Sequence, residues 1–393
     1  MRILFITTRF HPHVGGVENV VENLAGKLAK KHEVSVVNSL DTNSLSGSRF
    51  IKGFKIELSE KPFSKNERVK DKKIWINLPK TFFGYLSFPY RFIFSSIALL
   101  KYAGKFDPDV INYHFPDDSS IYIWIFGLFN RTPLVTNIHG NDLHVFAKKS
   151  LQGFFIKKIL TKSKVIIVNS TYMKKDLSNF IPTIEDKVKI ISNGLDVDQF
   201  KSVTKKSEYR QFKKPYVFYI GRLVHKKGVD ILLEAVKKAN LKDLKFVIEG
   251  KGEELDSLKK QAKRLDIDEQ IIFTEGNINN ENGEKVWIMK EAEFGIIPSR
   301  VEPFGIVALE FMAAGTPIIV SKTGGLENII VNGETGMFFK NGNVDDLVEK
   351  IKHVHLDGSL RIKLAEKELN EVKKYSWGNI SQEYLDAFKN LCK

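Results

Sequence analysis

The segment Tyr216-Val-Phe-Tyr-Ile-Gly-Arg-Leu-Val-His-Lys-Lys-Gly-Val-Asp-Ile-Leu-Leu-Glu-Ala-Val-Lys-Lys-Ala239 has the pattern of a strand, a loop and a helix. Its first five residues form an apolar run of β-branched and aromatic side chains, which is typical of a buried parallel strand. The loop that follows contains two glycines, and residues 229–239 have helical periodicity. Short strands and longer helical segments alternate in this way almost from end to end of the chain. This alternation predicts an α/β fold with helices on both faces of parallel sheets.

The alternation occurs as two series. Predicted strands span residues 2–7, 34–38, 110–114, 134–138 and 165–169, and then 216–220, 245–249, 271–274, 294–297 and 317–320. Predicted helices span residues 17–31, 119–129, 229–239, 253–265, 284–292 and 304–313. A polar, basic stretch between Asp198 and Pro215 is typical of a linker. We predict Rossmann-like domains over residues 1–198 and 199–375, with a last helix over 376–393 that packs back on the first domain and is capped by Ser376.

Composition excludes several classes of protein. With 393 residues, 42% hydrophobic and 27% charged, the chain is globular rather than disordered, collagen-like or coiled-coil. Its one cysteine, Cys392, excludes a disulfide framework and a cysteine-built metal site. No basic-then-apolar leader opens the chain, and the most apolar stretch, residues 82–100, is interrupted by Pro89 and Arg91. We therefore expect a cytoplasmic protein without a membrane-spanning helix.

Positive charge and aromatic residues cluster in the first half of the chain. The formal net charge is +14, and residues 52–105 hold 12 Lys and Arg against 4 Asp and Glu. Residues 75–106 also contain ten aromatic side chains. This combination indicates a helix at an anionic membrane surface, and a helix buried against the first sheet is the alternative. Nucleic-acid binding, in which aromatic side chains stack on bases, has no other support in the chain.

The first of four loops that could carry chemistry, residues 12–18, contains Gly15 and Gly16 directly before a predicted helix. Adjacent glycines at a helix start let backbone N–H groups approach an anion. A tight turn between a strand and a helix explains the pair equally well.

The second loop, residues 221–228, holds Arg222, Lys226 and Lys227 directly after a predicted strand. Arginine offers a planar fork of donors and lysine a point charge, which together form a phosphate-binding combination. A solvated basic loop is the alternative.

The third loop reads Arg300-Val-Glu-Pro-Phe-Gly-Ile-Val-Ala-Leu-Glu310. Pro303 suits the first positions of a helix, so the spacing predicts a helix start that offers the N–H groups of residues 305–307. Glu302 would lie just before that start and Glu310 about two turns inside the helix. Such an arrangement can hold a diphosphate, with a carboxylate on each flank to accept sugar hydroxyls. Alternatively, Glu302 is only a favourable charge at a helix start and Glu310 is exposed, although apolar neighbours of Glu310 favour a partnered carboxylate.

In the fourth loop, His139 follows a predicted strand and precedes Gly140. A histidine at a strand end can aim its ring into a cleft and titrate near neutral pH. A structural histidine bonded to a loop carbonyl is equally compatible, and His114 is a second candidate. Ligands of such sheets bind beyond the carboxyl ends of the strands, so that two facing sheets would place the site in the cleft between them.

Several short motifs occur in a fixed order along nearly the whole chain. They are Gly15-Gly16, Pro108-Asp-Val-Ile111, His139-Gly140, Ser192-Asn-Gly-Leu-Asp196, Gly221-Arg-Leu223, Lys226-Lys-Gly228, Glu302-x7-Glu310, Ala313-Ala-Gly-Thr-Pro-Ile318 and Gly324-Gly325. In this order and spacing, the chain resembles the retaining glycosyltransferases of family 4. The resemblance implies the GT-B fold, in which two Rossmann-like domains face each other across a deep cleft.

The resemblance also implies a nucleoside-diphosphate sugar as donor. Arg222 and Lys227 would bind the diphosphate and neutralise charge as it leaves. Glu310 would accept the ribose hydroxyls, and Glu302 would contact the transferred sugar. With His139 near the anomeric carbon, the implied catalytic residues are His139, Arg222, Lys227 and Glu302. The implied donor-binding residues are Gly15, Gly16, Arg222, Lys226, Lys227, Gly276, Asn277, Ile278, Lys285, Glu302, Phe304, Gly305, Ile306, Val307 and Glu310.

Within this set, residues 276–278 and Lys285 would line the pocket for the base and the ribose, and Gly16 would touch a phosphate from the opposite domain. By the same resemblance, the reaction retains the anomeric configuration by front-face substitution, in which the leaving phosphate helps to deprotonate the acceptor. It requires no metal and no cofactor. The chain has Val-Glu-Pro-Phe-Gly around Glu302, where many members have a small residue before the phenylalanine, so the donor sugar stays open.

We therefore expect transfer of a sugar from a nucleoside-diphosphate sugar to a lipid-linked saccharide or glycolipid, by a peripheral protein at the cytoplasmic face of the membrane. The sequence is compatible with UDP, GDP or ADP. A soluble acceptor is one alternative, and a non-catalytic GT-B protein that binds nucleotides or carbohydrate is another. A dinucleotide-dependent oxidoreductase would show GxGxxG with an acidic residue about 20 residues further on, and the sequence lacks that fingerprint.

Overall fold

The computed structural model describes residues 1–7, 16–39, 55–57, 73–75, 87–117, 119–140, 142–146, 150–204, 209–278 and 283–391. These residues form two compact units. The first unit comprises Met1–Ser192 together with Trp377–Lys393, and the second is the continuous segment Asn193–Ser376.

The boundary between the units lies between Ser192 and Asn193, before the predicted position at residue 198. Val197 and Phe200, which follow the boundary, are buried because they pack into the core of the second unit. Tyr209, in the predicted linker, is also buried. The polar stretch that begins after Asp198 is therefore part of the second unit, and the linker prediction is corrected accordingly.

The first unit is built on an eight-stranded sheet. Its strands are β1 (Arg2–Thr7), β2 (Glu33–Ser39), β3 (Lys55–Glu57), β4 (Lys73–Trp75), β5 (Val110–His114), β6 (Leu134–Ile138), β7 (Val165–Val168) and β8 (Val188–Ile190). Its helices up to residue 192 are α1 (Gly16–Ala29), α2 (Ser87–Phe106), α3 (Ser120–Phe129), α4 (Ser150–Lys162) and α5 (Thr171–Phe180). The strand order is β4-β3-β2-β1-β5-β6-β7-β8, and β3 is antiparallel to both of its neighbours. The prediction of a wholly parallel sheet is wrong at this edge, where β3 and β4 are three-residue strands that each begin with a lysine, instead of continuous apolar runs.

The second unit is built on a six-stranded parallel sheet. Its strands are β9 (Tyr216–Ile220), β10 (Lys245–Glu249), β11 (Ile271–Phe273), β12 (Phe294–Ile297), β13 (Ile318–Ser321) and β14 (Met337–Phe339). Its helices are α6 (Val197–Ser202), α7 (Val229–Ala239), α8 (Leu255–Arg264), α9 (Glu284–Glu291), α10 (Ile306–Ala314), α11 (Leu326–Ile329), α12 (Val344–Leu356) and α13 (Gly358–Glu371). The chain then enters α14 (Trp377–Lys389), which belongs to the first unit and packs against α1.

The central strands of both sheets are buried on two faces, as their apolar runs require. Along β1, Ile3 and Phe5 pack in the core formed with α1 and α14, whereas Leu4 and Ile6 pack in the core formed with α2 and α3. In the second unit, alternate residues of β9 likewise enter two separate cores. The prediction of two Rossmann-like units with helices on both faces of each sheet is confirmed.

The order of the strands places the site in the second unit. Its sheet order is β11-β10-β9-β12-β13-β14, which counted within the unit is the 3-2-1-4-5-6 order of dinucleotide-binding folds. The connections reverse direction between β9 and β12, and ligands of such sheets bind beyond the carboxyl ends of the strands at this point. The loops that follow β9 and β12 are two of the loops singled out in the sequence.

Candidate active site

The loops after β9 and β12 touch through their backbones. Gly228 has a φ of +66°, and a Cβ at this position would lie 2.1 Å from the carbonyl oxygen of Pro298. The N–H of Arg300 donates to the carbonyl oxygen of Lys226 at 2.8 Å. Because only glycine allows this approach, Gly228 fixes the basic loop against the loop that carries Glu302.

A third loop, after β13, supports the Glu302 loop in the same way. Gly324 has a φ of +57°, and a Cβ there would lie 2.1 Å from the carbonyl oxygen of Glu302. The N–H of Gly325 donates to that same oxygen at 2.8 Å. The glycine pair noted in the sequence therefore acts by holding the Glu302 backbone in place.

Lys227 and Glu302 form a close ion pair at the carboxyl edge of the sheet. Lys227 Nζ lies 2.5 Å from Glu302 Oε2, and the two side chains are 19% and 12% exposed. The hydroxyl of Ser299 donates to the same carboxylate oxygen at 3.2 Å. The geometry brings together two of the residues that the sequence singled out separately.

A second ion pair joins Lys285 and Glu310. Lys285, in α9, places Nζ 2.8 Å from Oε1 of Glu310, in α10, and these side chains are 16% and 14% exposed. Because α10 begins at Ile306, Glu310 lies about one turn inside the helix rather than the predicted two. Glu310 is therefore a partnered, largely buried carboxylate, and the alternative of an exposed surface residue is excluded.

The start of α10 differs from the prediction that Pro303 or Phe304 begins it. Gly305 has a φ of +107°, which a helix cannot contain, so the helix starts at the next residue. No side chain caps it, and the first-turn N–H groups of Ile306 and Val307 are available to an anion. Phe304 is 4% exposed and packs in the core, so its predicted donor contact is restricted to the backbone.

Two cations that have no carboxylate partner in the described part of the chain lie beside the Lys227–Glu302 pair. Among residues 209–278 and 283–391, neither Arg222 nor Lys226 forms an ion pair. Burial lowers the pKa of Lys226, and the charges of Arg222 and Lys227 lower it further. An anion bound here would relieve this repulsion between neighbouring cations.

The residues predicted to line the base pocket divide into two groups. Gly276 has a φ of +73° and lies against the aliphatic part of Lys251, and Asn277 is exposed. Ile278 is 4% exposed and belongs to the same core as Val286. Its side chain therefore packs inward, whereas Asn277 beside it is open to solvent.

Arg300, for which the sequence indicated no role, holds the basic loop in place. Its guanidinium makes two hydrogen bonds to the Asp230 carboxylate, at 2.7 and 2.6 Å, and a third to the carbonyl oxygen of His225. The hydrogen bonds to Asp230 raise the pKa of Arg300. The sequence shows an arginine in this loop, but it does not show that its partner is Asp230, because the two residues are 70 positions apart.

In the first unit, His139 follows β6, and both its ring and its backbone N–H form hydrogen bonds. Its ring Nε2 lies 3.1 Å from Nδ1 of His114, at the end of β5, and the rings stack. The carboxylate of Asp142 accepts hydrogen bonds from the backbone N–H groups of His139 and Gly140 at 2.7 and 2.6 Å. The alternative of a ring bonded to a loop carbonyl is replaced by a contact to His114, which is the second histidine that the sequence offered. Burial lowers the pKa of His139 to about 4, so the expectation of titration near neutral pH is wrong.

The glycine pair of the first loop is described only in part. Gly16 is the first residue of α1 and is exposed, with open space where a Cβ would lie. Gly15 falls outside the described residues, and so do residues 76–86 of the aromatic stretch.

Neither a membrane span nor a metal cluster occurs in the described ranges. None of the helices described is long and apolar enough to cross a membrane. Within the same ranges, no group of three or more His, Cys, Asp or Glu side chains is placed to hold a metal ion.

Two Rossmann-like units, one with paired carboxylates and cations around an uncapped helix start, define the class of GT-B transferases that handle nucleotides. Family models agree with this class, since Glycosyltransferase Family 4 matches residues 14–199 and Glycosyl transferases group 1 matches residues 201–370. An uncharacterized glycosyltransferase of Methanocaldococcus jannaschii is 32% identical over 277 residues, which is 66% of this chain and 70% of that protein. The chain belongs to the family-4-type glycosyltransferases with the GT-B fold.

Other similar proteins include a more distant glycosyltransferase and two solved structures that share the fold. The D-inositol 3-phosphate glycosyltransferase of Corynebacterium jeikeium is 29% identical over 239 residues, which is 56% of each chain. Among solved structures, a sucrose-phosphate synthase from Thermosynechococcus elongatus is similar with a TM-score of 0.74 at 20% identity, covering 99% of this chain and 98% of that one. HepE from Anabaena has a TM-score of 0.72 at 19% identity, covering 99% of this chain and 100% of that one.

Proposed function

We propose that this glycosyltransferase transfers a sugar, with retention of configuration, from a nucleoside-diphosphate sugar to a saccharide or lipid-linked acceptor at the cytoplasmic face of a membrane. The observation that carries the donor assignment is the set of charges at the carboxyl edge of the second sheet. Two largely buried Lys–Glu pairs flank an uncapped helix start, and Arg222 and Lys226 lie beside them without carboxylate partners in the described ranges. A diphosphate with sugars on both sides matches this order of cations and carboxylates.

Solved relatives support the choice of donor. HepE from Anabaena has been solved with UDP and with UDP-glucose, and a starch synthase of Arabidopsis thaliana with ADP and acarbose. These proteins are under 25% identical to this chain, so they support the class of donor and leave the base to experiment.

The proposed mechanism assigns the developing charge to Arg222, Lys227 and the N–H groups of Ile306 and Val307. As the bond between the sugar and the phosphate breaks, negative charge grows on the diphosphate, and these groups stabilise it without reorganising. The leaving phosphate oxygen takes the proton of the acceptor hydroxyl, which attacks from the same face. No divalent metal is needed because the protein itself supplies the positive charge.

The carboxylates divide the remaining contacts. Glu310 accepts hydrogen bonds from the ribose hydroxyls, and Glu302 accepts hydrogen bonds from hydroxyls of the transferred sugar. An ionised carboxylate has acceptor atoms only, so it suits both roles. His139, in the first unit, helps to hold the donor sugar by the family resemblance.

A thermal-shift experiment tests the donor. A ligand at about 100 times its dissociation constant adds roughly 2.7 kcal/mol to the stability of its binding protein. We expect one of UDP, GDP or ADP to raise the melting temperature of the wild type and to have little effect on Arg222→Ala. If none of the three nucleotides or their sugars raises the melting temperature, the donor assignment is refuted.

The membrane part of the proposal is supported by three neighbouring helices of the first unit. Large apolar side chains are exposed on α2 (Ile97, 41%), on α3 (Phe129, 72%) and on α4 (Phe154, 50%), and α3 packs against both of the others. The ammonium of Lys158 lies 5.4 Å from the centre of the Phe154 ring. Apolar side chains with neighbouring lysines suit an anionic lipid surface.

Liposome sedimentation tests this part separately. The protein should pellet with anionic liposomes at low salt and less with neutral ones, because each basic residue near the surface adds about 1 kcal/mol that salt screens. Replacing Phe129 and Phe154 by Ser should weaken binding at any salt concentration. The matched control is Leu356→Ser with Ile362→Ser, which changes side chains of similar exposure in the second unit. If the wild type does not pellet with anionic liposomes at low salt, a soluble acceptor becomes the better assignment.

A further inference from the structure

Three polar side chains interrupt the buried strands of the first unit. Asn112 and His114 on β5 are 0% exposed, and Asn137 on β6 is 1% exposed. Parallel strands covered on both faces normally carry apolar residues, and a buried polar group costs free energy unless it is hydrogen-bonded. Three buried polar side chains side by side in a core therefore indicate a function other than packing.

The three side chains share one face of the sheet, and α14 covers that face. Phe5 is in register with Asn112, and His114 is in register with Asn137. Phe5 packs in the core that includes α14, and Tyr384 of α14 is buried there at 3% exposure. The last helix of the chain thus brings a hydroxyl to the polar residues of β5 and β6.

These residues form one continuous chain of hydrogen bonds that ends at His139. The Tyr384 hydroxyl donates to Asn137 Oδ1 at 2.9 Å, and Asn137 Nδ2 donates to Asn112 Oδ1. Asn112 Nδ2 lies 2.9 Å from His114 Nε2, and His114 Nδ1 lies 3.1 Å from His139 Nε2. We call these four side chains, Tyr384, Asn137, Asn112 and His114, the polar chain.

Two contacts of Asn137, one to the Tyr384 hydroxyl and one to a backbone carbonyl, set the direction of the polar chain. Asn137 Nδ2 also lies 3.5 Å from the carbonyl oxygen of Tyr113, which can only accept a hydrogen bond. The amide nitrogen of Asn137 must therefore be on that side, with its oxygen toward Tyr384. Asn112 then presents Nδ2 to His114, whose Nε2 has to accept.

We infer that the polar chain holds His139 in the single tautomer that carries its proton on Nδ1. His114 accepts at Nε2, so its own proton is on Nδ1 and points at His139. His139 Nε2 is the acceptor of that hydrogen bond, which leaves Nδ1–H as the ring donor that His139 can offer to a ligand.

The state of charge agrees with this assignment. Burial lowers the pKa of His114 well below its ordinary value and the pKa of His139 to about 4, so both rings are neutral at pH 7. A neutral imidazole has one donor nitrogen and one acceptor nitrogen, whereas a protonated ring has two donors. Only neutral rings can therefore pass the donor-to-acceptor order of the hydrogen bonds from Asn112 to His139. The polar chain consists of positioning residues, and its kinetic consequence rests on the proposed role of His139 at the donor sugar.

Two-bond ¹H–¹⁵N NMR of histidine-labelled protein tests the tautomer without any substrate. In the wild type, the His139 signals, assigned with His139→Gln, should show a protonated Nδ1 and an unprotonated Nε2. Tyr384→Phe leaves Asn137 Oδ1 without its hydrogen bond, so that only the long 3.5 Å contact to the Tyr113 carbonyl oxygen still orients the amide, and the second tautomer of His139 should become populated. The matched control, Tyr113→Phe, removes another fully buried hydroxyl, which bonds Ser119 on the opposite face of β5, and should leave the tautomer unchanged. A wild-type His139 protonated on Nε2, or averaged between the two tautomers, would overturn the inference whether or not any variant folds.

Kinetics give the second readout. Tyr384→Phe should lower kcat about tenfold, with the donor KM changed less than about twofold, because an orienting hydrogen bond is lost while the donor site in the second unit is intact. In a His139→Gln background the same substitution should have no further effect on kcat. An equal fall of kcat in both backgrounds would mean that Tyr384 is merely structural. If the wild type transfers no sugar but the NMR result is as expected, the proposed function fails and the tautomer assignment stands.

Discussion

Replacing Glu310 by Ala should weaken nucleotide binding much more than replacing Glu302 by Ala. Glu310 Oε1 lies 2.8 Å from Lys285 Nζ with 14% of the side chain exposed, so its carboxylate is already oriented and largely desolvated. A hydrogen bond to a charged group contributes about 1.5–3 kcal/mol. Loss of the ribose contacts should therefore raise the dissociation constant of the nucleoside diphosphate by about 10- to 150-fold.

Glu302→Ala should act differently because Glu302 is the counter-charge of Lys227, at 2.5 Å. Without the carboxylate, the positive potential at the diphosphate site increases, so binding of the free nucleotide should be unchanged or tighter. Turnover of the full donor should nevertheless fall at least about a hundredfold, since the contact to the transferred sugar contributes in the transition state.

Calorimetry with the nucleoside diphosphate that stabilises the wild type measures both effects. Glu310→Gln, which keeps the acceptor oxygen but loses the charge, should be intermediate, and Glu334→Ala serves as a control on an exposed carboxylate of the same unit. Melting temperatures of all variants show whether the loss of an ion pair has also destabilised the fold. Equal losses of nucleotide affinity in Glu302→Ala and Glu310→Ala would refute the division between ribose and sugar.

Three further predictions follow from the same geometry. Arg222→Ala and Lys227→Ala should each lower turnover by about two orders of magnitude or more with folding intact, measured by initial rates and circular dichroism; near wild-type turnover of the double variant would contradict the diphosphate role. Activity should survive excess EDTA, and its loss with recovery on adding Mg²⁺ or Mn²⁺ would show that the protein's own cations are insufficient. Burial lowers the pKa of His139 to about 4. Between pH 6.5 and 4, the unfolded chain therefore binds a proton at this histidine that the folded protein does not bind. The wild type should therefore lose stability relative to His139→Gln as the pH falls from 6.5 toward 4, and an unchanged difference in denaturant midpoints would contradict the burial of this ring.

The strands of both sheet centres are predictable because each is a short apolar run buried on two faces. The predicted bounds of β1, β5, β9, β10 and β12 agree with the structure residue for residue. The edge strand β4 and its neighbour β3 are not predictable in this way, since their pairing depends on neighbouring strands rather than on an internal apolar pattern.

The sequence predicts which loops form the site, but it does not predict which side chains of these loops form ion pairs with each other. Lys227 and Glu302 are 75 positions apart, and Lys285 and Glu310 are 25 apart, so no local spacing relates them. The start of α10 was misplaced because Gly305 at φ +107° ends the preceding loop, which a sequence pattern centred on Pro303 does not reveal. The 247 positions between Tyr384 and Asn137 explain why the polar chain had no signal beyond polar residues in an apolar strand.

The return of α14 to the first unit makes the second unit an insertion, and this has a consequence for synthesis on the ribosome. Domains generally fold as they emerge, the N-terminal one first. Here residues 1–192 emerge first, yet the apolar face of β1 that includes Ile3 and Phe5 lacks part of its cover until Trp377–Lys389 has been made. The continuous segment Asn193–Ser376 has all of its own strands by then. The half of the chain that is translated first is therefore completed last, and a nascent chain stalled before residue 377 presents an open apolar surface to chaperones.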